Sequence, residues 1–375
     1  MSPWSDDVVC EVQGRLGLIT SQRPKALNAL SLPMVRALSD VLQRWANDAH
    51  ILAVAIRGSD KHGPFGAFCA GGDIRFFHQA ALAGDPRLDD FFTEEYALNH
   101  LIHRYPKPYI AFMDGIVMGG GMGISQGAAL RIVTERTHMA MPETLIGLFP
   151  DVAGGYFLSR CPGHLGEYLA LTGHGLHGAE ALAAGLADAV VQSTEQPALW
   201  QHLAQTAWTS GTHVLDWLRA HTAAQSEAAR ATPLAWWHDG LDRVFGLASV
   251  NDIAQALQAD AREPGCADVL AALRQRSPLM LGVTLTQIRR ARQMGLADEL
   301  RMERDLVRHC FHTDHLQRRG TASETVEGIR ALAVDKDRQP RWEPARIEDV
   351  SEAMVQGFFV SPWPAAAHPL AHLQD

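Results

Sequence analysis

The chain of 375 residues has no cysteine pair, no long apolar run and no excess of positive charge. Its five cysteines, Cys10, Cys69, Cys161, Cys266 and Cys310, are scattered and form no CxxC. That argues for free thiols in a reducing compartment. No run of 18 uncharged apolar residues occurs, so no membrane partner is expected. A net charge of −9 argues against nucleic acid as the main partner, while leaving room for a local basic pocket. The start, MSPWSDD, is acidic and lacks an apolar core. It predicts neither a secretory signal nor an Arg-rich transit peptide, and points to the cytoplasm. The motifs GxxxxGK(S/T) and HExxH are missing, and the glycine run at 119–121 lacks GxGxxG spacing. What remains is an ordinary globular composition, 47% hydrophobic and 20% charged, long enough for about two domains.

The first 200 residues alternate short strands and helices. Cys10 to Gln13 and Leu16 to Thr20 flank Gly14 and read as a hairpin. Ser31 caps a helix with Met34, Leu38, Val41, Leu42 and Trp45 on one face. Leu52 to Ile56, Tyr109 to Met113 and Arg131 to Thr134 read as strands. The class is α/β, with strands too short and turns too irregular for a Rossmann topology. Residues 201–345 read as a helical region. Pro and His accumulate from Trp342 on; 346–375 reads as a C-terminal tail, its last ~15 residues loosely held.

Residues 141–151, MPETLIGLFPD, set Glu143 and Asp151 eight positions apart in an apolar, Pro- and Gly-bent stretch. Such a stretch would be buried, and a buried carboxylate is costly without a partner or a task. MGGGMG at 118–123 opens a helix, and FCAGGDI at 68–74 is a second bare-backbone loop. Backbone amides at a helix start suit an oxyanion; close helix–strand packing explains the same glycines. Loops and carboxylates together suggest an oxyanion site served by an acid or base.

Other motifs carry less. GISQG at 123–127 matches the GxSxG nucleophile elbow, but Ser125 falls inside the helix. His309, His312 and His315 offer metal ligands at helical spacing, while Arg308, Arg318 and Arg319 favour a solvated basic helix. Of the adjacent Glu94 and Glu95, one can face inward with Phe92 and Tyr96. Arg23 and Lys25 lie in a loop that could hold a phosphate.

RPKALNAL (23–30), AFCAGGDI (67–74), GIVMGGGMGIS (115–125) and MPETLIGLFPD (141–151), in this order, resemble the crotonase (enoyl-CoA hydratase/isomerase) superfamily. GAEALAAGLADAVV (178–191) is similar to a helix near the end of that core. FFTEEYALNHLI (91–102), MPETLIGLFPDVAGGYFL (141–158) and VEGIRALAVDKDRQPRWEP (326–344) resemble its 3-hydroxyisobutyryl-CoA hydrolase branch. The resemblance spans about residues 1–345. It implies a spiral of ββα units over 1–200, a helical region beyond and a CoA thioester as substrate. It implies no metal and no cofactor beyond the CoA of the substrate, and a possible homo-oligomer. The oxyanion amides would be those of Gly72 and Gly120. Ala26 and Ala70, with Lys25, would meet the CoA moiety.

Hydratases resemble GGGxE where this chain has GGGMG, so Gly123 replaces one of their two glutamates. Glu143 matches the second. Asp151 in FPD matches the hydrolase branch, where Ala153 stands in place of a usual glycine. The resemblance thus implies hydrolysis of a short 3-hydroxyacyl-CoA in valine catabolism, with Glu143 and Asp151 catalytic and Glu95 contacting the 3-hydroxyl. An enoyl-CoA isomerase or hydratase is the alternative. A non-enzymatic acyl-CoA-binding module is a third reading.

Overall fold

The computed structural model describes residues 5–263, 265–318 and 322–375. The first four residues of the acidic start, and Arg319 of the basic stretch, lie outside the described residues. The chain divides into two compact units, each assembled from three segments. Residue 200 lies inside the first unit, which extends to Leu234.

Unit 1 comprises Met1–Gly72, Ala97–Ala140 and Gly175–Leu234. It holds all the strands of the described residues: β1 (Val8–Gln13), β2 (Leu16–Ser21), β3 (Ala53–Arg57), β4 (Ser59–Asp60), β5 (Gly63–Pro64), β6 (Tyr109–Met113), β7 (Ile116–Met118), β8 (Leu130–Val133), β9 (His138–Ala140), β10 (Leu176–His177) and β11 (Ala189–Val190). β1 and β2 form the expected hairpin, with Gly14 supplying a φ of +58° at the turn. β2, β3, β6, β8 and β11 then pair in parallel, giving the order β1-β2-β3-β6-β8-β11. Strand order follows chain order, so successive turns wind one beside the next; a doubly wound sheet reverses from a central strand. β7, β9 and β10 make a second small sheet. Between β6 and β8 the chain runs through β7 and the Gly120–Gln126 helix. That is the ββα repeat that the resemblance implies.

Period-two alternation packs one sheet face. Leu16, Leu18, Ile110, Phe112, Leu130 and Ile132 meet Trp200, Leu203 and Leu218 there. The Leu32–Asn47 helix carries the predicted apolar face, and the Ser31 hydroxyl accepts from the Met34 amide at its start. A Cβ on Gly17 of β2 would lie 2.4 Å from the Trp45 ring, so only glycine admits that indole.

Unit 2 comprises Asp73–Tyr96, Met141–His174 and Ala235–Asp375, and its described regular elements are helical. Its central helix, Pro278–Ala291, buries ten of its 14 residues. A helix so widely buried belongs in an interior. It packs against the helices Gly154–Leu158, Leu165–Thr172 and Glu352–Gly357. The Leu296–Phe311 helix carries a buried stripe of Leu296, Leu300, Glu303, Val307 and Cys310, with an acid at its centre. The Arg87–His103 helix starts in unit 2, up to Tyr96, and ends in unit 1.

The end of the chain corrects an expectation. Leu370 and Leu373 are buried, and Arg301 donates to both of their carbonyls. Asp375 accepts from the Ala297 amide at 2.7 Å. Composition made this segment look loose, but two leucines and three hydrogen bonds dock it.

Candidate active site

Unit 1 gathers the bare-backbone loops. Leu27 closes the 3-10 turn Pro24–Ala26 in a left-handed conformation. Its carbonyl accepts from the Ala70 amide, and the Leu30 amide donates to the Gly71 carbonyl. Cys69 in turn accepts from the Met118 amide. These bonds place Ala26, Ala70 and Gly72 on adjoining loops, next to the loop that carries Gly120. Gly71 has a φ of +104°, and a Cβ there would come within 3.7 Å of the Gly120 nitrogen. A Cβ on Gly121 would press to 2.4 Å from the Cys69 carbonyl oxygen. The close-packing explanation of the glycine run therefore holds at Gly121. Gly120 opens the helix, where the first amides have no intrahelical acceptor. The run thus packs closely at Gly121 and opens a helix at Gly120.

Ser125 is excluded as a nucleophile. It is fully buried within the helix, and its hydroxyl donates back to the Gly121 carbonyl at 2.8 Å. Arg23 braces its own loop, donating to the Ala29 carbonyl, whereas Lys25 is exposed.

Unit 2 gathers the carboxyls. Glu143 opens the 3-10 turn Glu143–Ile146, which Gly147 closes at a φ of +66°. A Cβ on Gly147 would lie 2.2 Å from the Glu324 carbonyl oxygen. The Ser277 amide donates to the Thr144 carbonyl and the Thr325 hydroxyl to that of Gly147, so the turn is held from two helices. Glu143 is 7% exposed and its Oε2 has no partner among the described residues. Asp151 is 6% exposed and accepts a 2.9 Å hydrogen bond from the Tyr96 hydroxyl. Glu95 is 2% exposed, with Oε1 unpartnered among the described residues. The inward member of the Glu94-Glu95 pair is thus Glu95.

These three acids act on one another. Burial pushes Glu95 well above the ordinary carboxylate range, and the charges of Asp151 and Glu143 push it further. Burial, then Asp151, does the same to Glu143. Burial raises Asp151 to about 7, restrained by the hydrogen bond from Tyr96. Three carboxyls in mutual range do not all ionise together. Asp151, the one with a donor, loses its proton first. The arrangement can hold a proton and a negative charge side by side at neutral pH, which suits acid–base or nucleophilic chemistry.

The histidine stretch is not a solvated helix. His309 is buried with Nε2 2.8 Å from the Val360 carbonyl oxygen, and Arg308 pairs with Asp89. Arg318 reaches Glu324 at 3.4 Å. No group of three metal-binding side chains occurs among the described residues.

Sequence reading did not identify Glu299, Glu303 and Gln287, all fully buried near Asp151 in the chain's packing. Their signal was an acid in an apolar stripe.

The family model described as Enoyl-CoA hydratase/isomerase matches residues 16–359. The chain is 39% identical over 354 residues to the mitochondrial 3-hydroxyisobutyryl-CoA hydrolase of Gallus gallus, covering 94% of this chain and 88% of the relative. It is 37% identical over 358 residues to the probable 3-hydroxyisobutyryl-CoA hydrolase 3 of Arabidopsis thaliana, covering 94% and 91%. Among solved structures, a carnitinyl-CoA dehydratase from Mycobacterium thermoresistibile superposes with a TM-score of 0.81 at 36% identity, covering 96% of this chain and 98% of that one. An enoyl-CoA hydratase from Rhodobacter sphaeroides gives 0.78 at 34%, covering 95% and 98%.

Proposed function

The chain belongs to the enoyl-CoA hydratase/isomerase family, and on that premise we propose that it hydrolyses 3-hydroxyisobutyryl-CoA to the free acid and CoA. The observation that carries this reading is the buried trio of Glu143, Asp151 and Glu95, in a chain with glycine at 123. Paired-glutamate hydration needs the carboxylate that Gly123 lacks. Hydration remains the second reading, because the two solved structures above are a carnitinyl-CoA dehydratase and an enoyl-CoA hydratase.

Hydrolysis needs a polarised carbonyl, an oxygen delivered to it and a departing thiolate. The amides of Gly72 and Gly120 take the first role; losing one donor of this kind typically costs ~10²–10³ in rate. Glu143 takes the second. Its carboxylate attacks the thioester carbon to give an anhydride that water then opens, or it takes the proton of an attacking water. In both routes the C–S bond breaks, and the sulfur leaves readily because a thiol has a pKa near ~8.5. Burial raises the pKa of Glu143 well above the ordinary carboxylate range, so activity rises as pH climbs through its ionisation. Asp151 orients the water or the substrate hydroxyl, and Glu95 bonds the 3-hydroxyl. Lys25, Ala26 and Ala70 meet the CoA moiety.

We place the reaction in valine breakdown in the cytoplasm, with no cofactor beyond the substrate's own CoA. Five scattered cysteines with no CxxC spacing support a reducing setting. The test is a panel of 3-hydroxyacyl-CoA and enoyl-CoA esters, following thiol release against enoyl absorbance. Thiol release without enoyl formation supports hydrolysis; efficient hydration of crotonyl-CoA by the wild-type protein overturns it.

A further inference from the structure

Asp151 is followed by two residues in the left-handed region, Val152 at a φ of 58° and Ala153 at 68°. That conformation is costly for residues with a Cβ, most of all for a β-branched one, and persists only where its surroundings enforce it. Glu303 supplies the enforcement within unit 2. Its Oε2 accepts from the Ala153 amide at 2.8 Å and its Oε1 from the Gly155 amide at 3.2 Å. Gln287 Nε2 donates to the Pro150 carbonyl at 2.7 Å and to Glu303 Oε1 at 3.1 Å. The backbone is therefore gripped immediately before and after Asp151. Both side chains are fully buried.

The fit leaves no slack. A Cβ on Gly155 would lie 2.2 Å from Glu299 Oε1 and 3.1 Å from Gln287 Nε2. Glu299 lies in electrostatic range of Glu303, and burial raises both acids, Glu299 to about 7. Two buried carboxyls in mutual range do not both ionise, so protonation lets them persist side by side. An apolar residue would continue the helix stripe better than Glu303 does. The acid instead meets amides at a helix start that need acceptors.

We propose that Glu303, seconded by Gln287, is a positioning residue for Asp151: its carboxyl holds the left-handed turn that follows Asp151 and so fixes where that carboxylate points. This inference rests on the reading of Asp151 as catalytic. Glu303 acts on Asp151 through the backbone amides it holds, and its charge also lies in electrostatic range of Asp151.

The experiment is a mutant cycle on full-length protein with 3-hydroxyisobutyryl-CoA, measuring kcat, KM, pH profile and Tm. Glu303→Gln keeps the size and loses one acceptor; it should lower kcat at least tenfold, leave KM within about threefold and shift the pH limb of kcat. Gln287→Ala should do the same more weakly. In an Asp151→Asn background, Glu303→Gln should cost less than threefold more, because the group it positions is gone. If Glu303→Gln fails to fold, Gln287→Ala and its cycle with Asp151→Asn decide. A lowered Tm with wild-type kcat and pH profile, or full additivity with Asp151→Asn, overturns the positioning role. Activity of Asp151→Asn within a few-fold of wild type instead overturns the catalytic reading of Asp151.

Discussion

The Tyr96 hydroxyl donates a 2.9 Å hydrogen bond to Asp151 Oδ2, with the tyrosine fully buried and the acid nearly so. That bond favours the ionised carboxylate and holds Asp151 at about 7 against the pull of burial. Tyr96→Phe removes it at no cost in volume. Asp151 should then keep its proton to higher pH, and a limb of the kcat profile set by its ionisation should move upward. A profile unchanged by Tyr96→Phe would mean that Asp151 does not govern that limb.

Stability should fall with pH above neutrality. Glu95, Glu143 and Glu303 have folded pKa values raised well above the ordinary range, and Asp151 and Glu299 are raised to about 7. Unfolded carboxyls ionise near ~4. The folded chain therefore keeps protons that the unfolded chain has released, so the stabilisation is complete at low pH and lost as pH rises through the folded values. His138, His312 and His315 are held below their ordinary value and act oppositely, but only below about 6.5. The window to measure is thus pH 6.5 to 8.5. Each carboxyl that stays protonated there costs at most about 1.4 kcal/mol per pH unit. Tm should decline across the window, and Glu299→Gln should flatten part of the decline near pH 7. A Tm that is level or rising would contradict the burial of these acids.

Selectivity should depend on Glu95. A buried acceptor that bonds a substrate hydroxyl penalises an ester lacking it, because the acceptor stays unpaired. Glu95→Ala removes both the bond and the penalty. The kcat/KM ratio of 3-hydroxyisobutyryl-CoA to isobutyryl-CoA should drop tenfold or more, about 1.4 kcal/mol per tenfold. An unchanged ratio would remove Glu95 from substrate recognition.

Local features were readable in advance. The β1–β2 hairpin, the Ser31 cap and the placement of Ser125 inside a helix depend on residues within a turn or two. The carboxyl pair was visible because Glu143 and Asp151 lie close in sequence. Their supports were not. Glu303 and the Ala153 amide are 150 positions apart, and Tyr96 and Asp151 are 55. No local pattern links such residues; only the acid in the Leu296, Leu300, Val307 and Cys310 stripe hinted at a buried partner. The docked end of the chain escaped notice for a related reason. Two leucines among prolines and histidines make a weak pattern, yet each finds a buried place.

The most direct test of the account is thiol release from 3-hydroxyisobutyryl-CoA by Glu143→Gln beside wild type, with ester binding measured on the same preparations. The amide keeps the shape of the side chain and loses both nucleophile and base. CoA release should fall by at least about a thousandfold while ester affinity stays within a few-fold, as loss of a general base or nucleophile requires. Release by Glu143→Gln within a few-fold of wild type would contradict the assignment of Glu143, and with it the proposed mechanism.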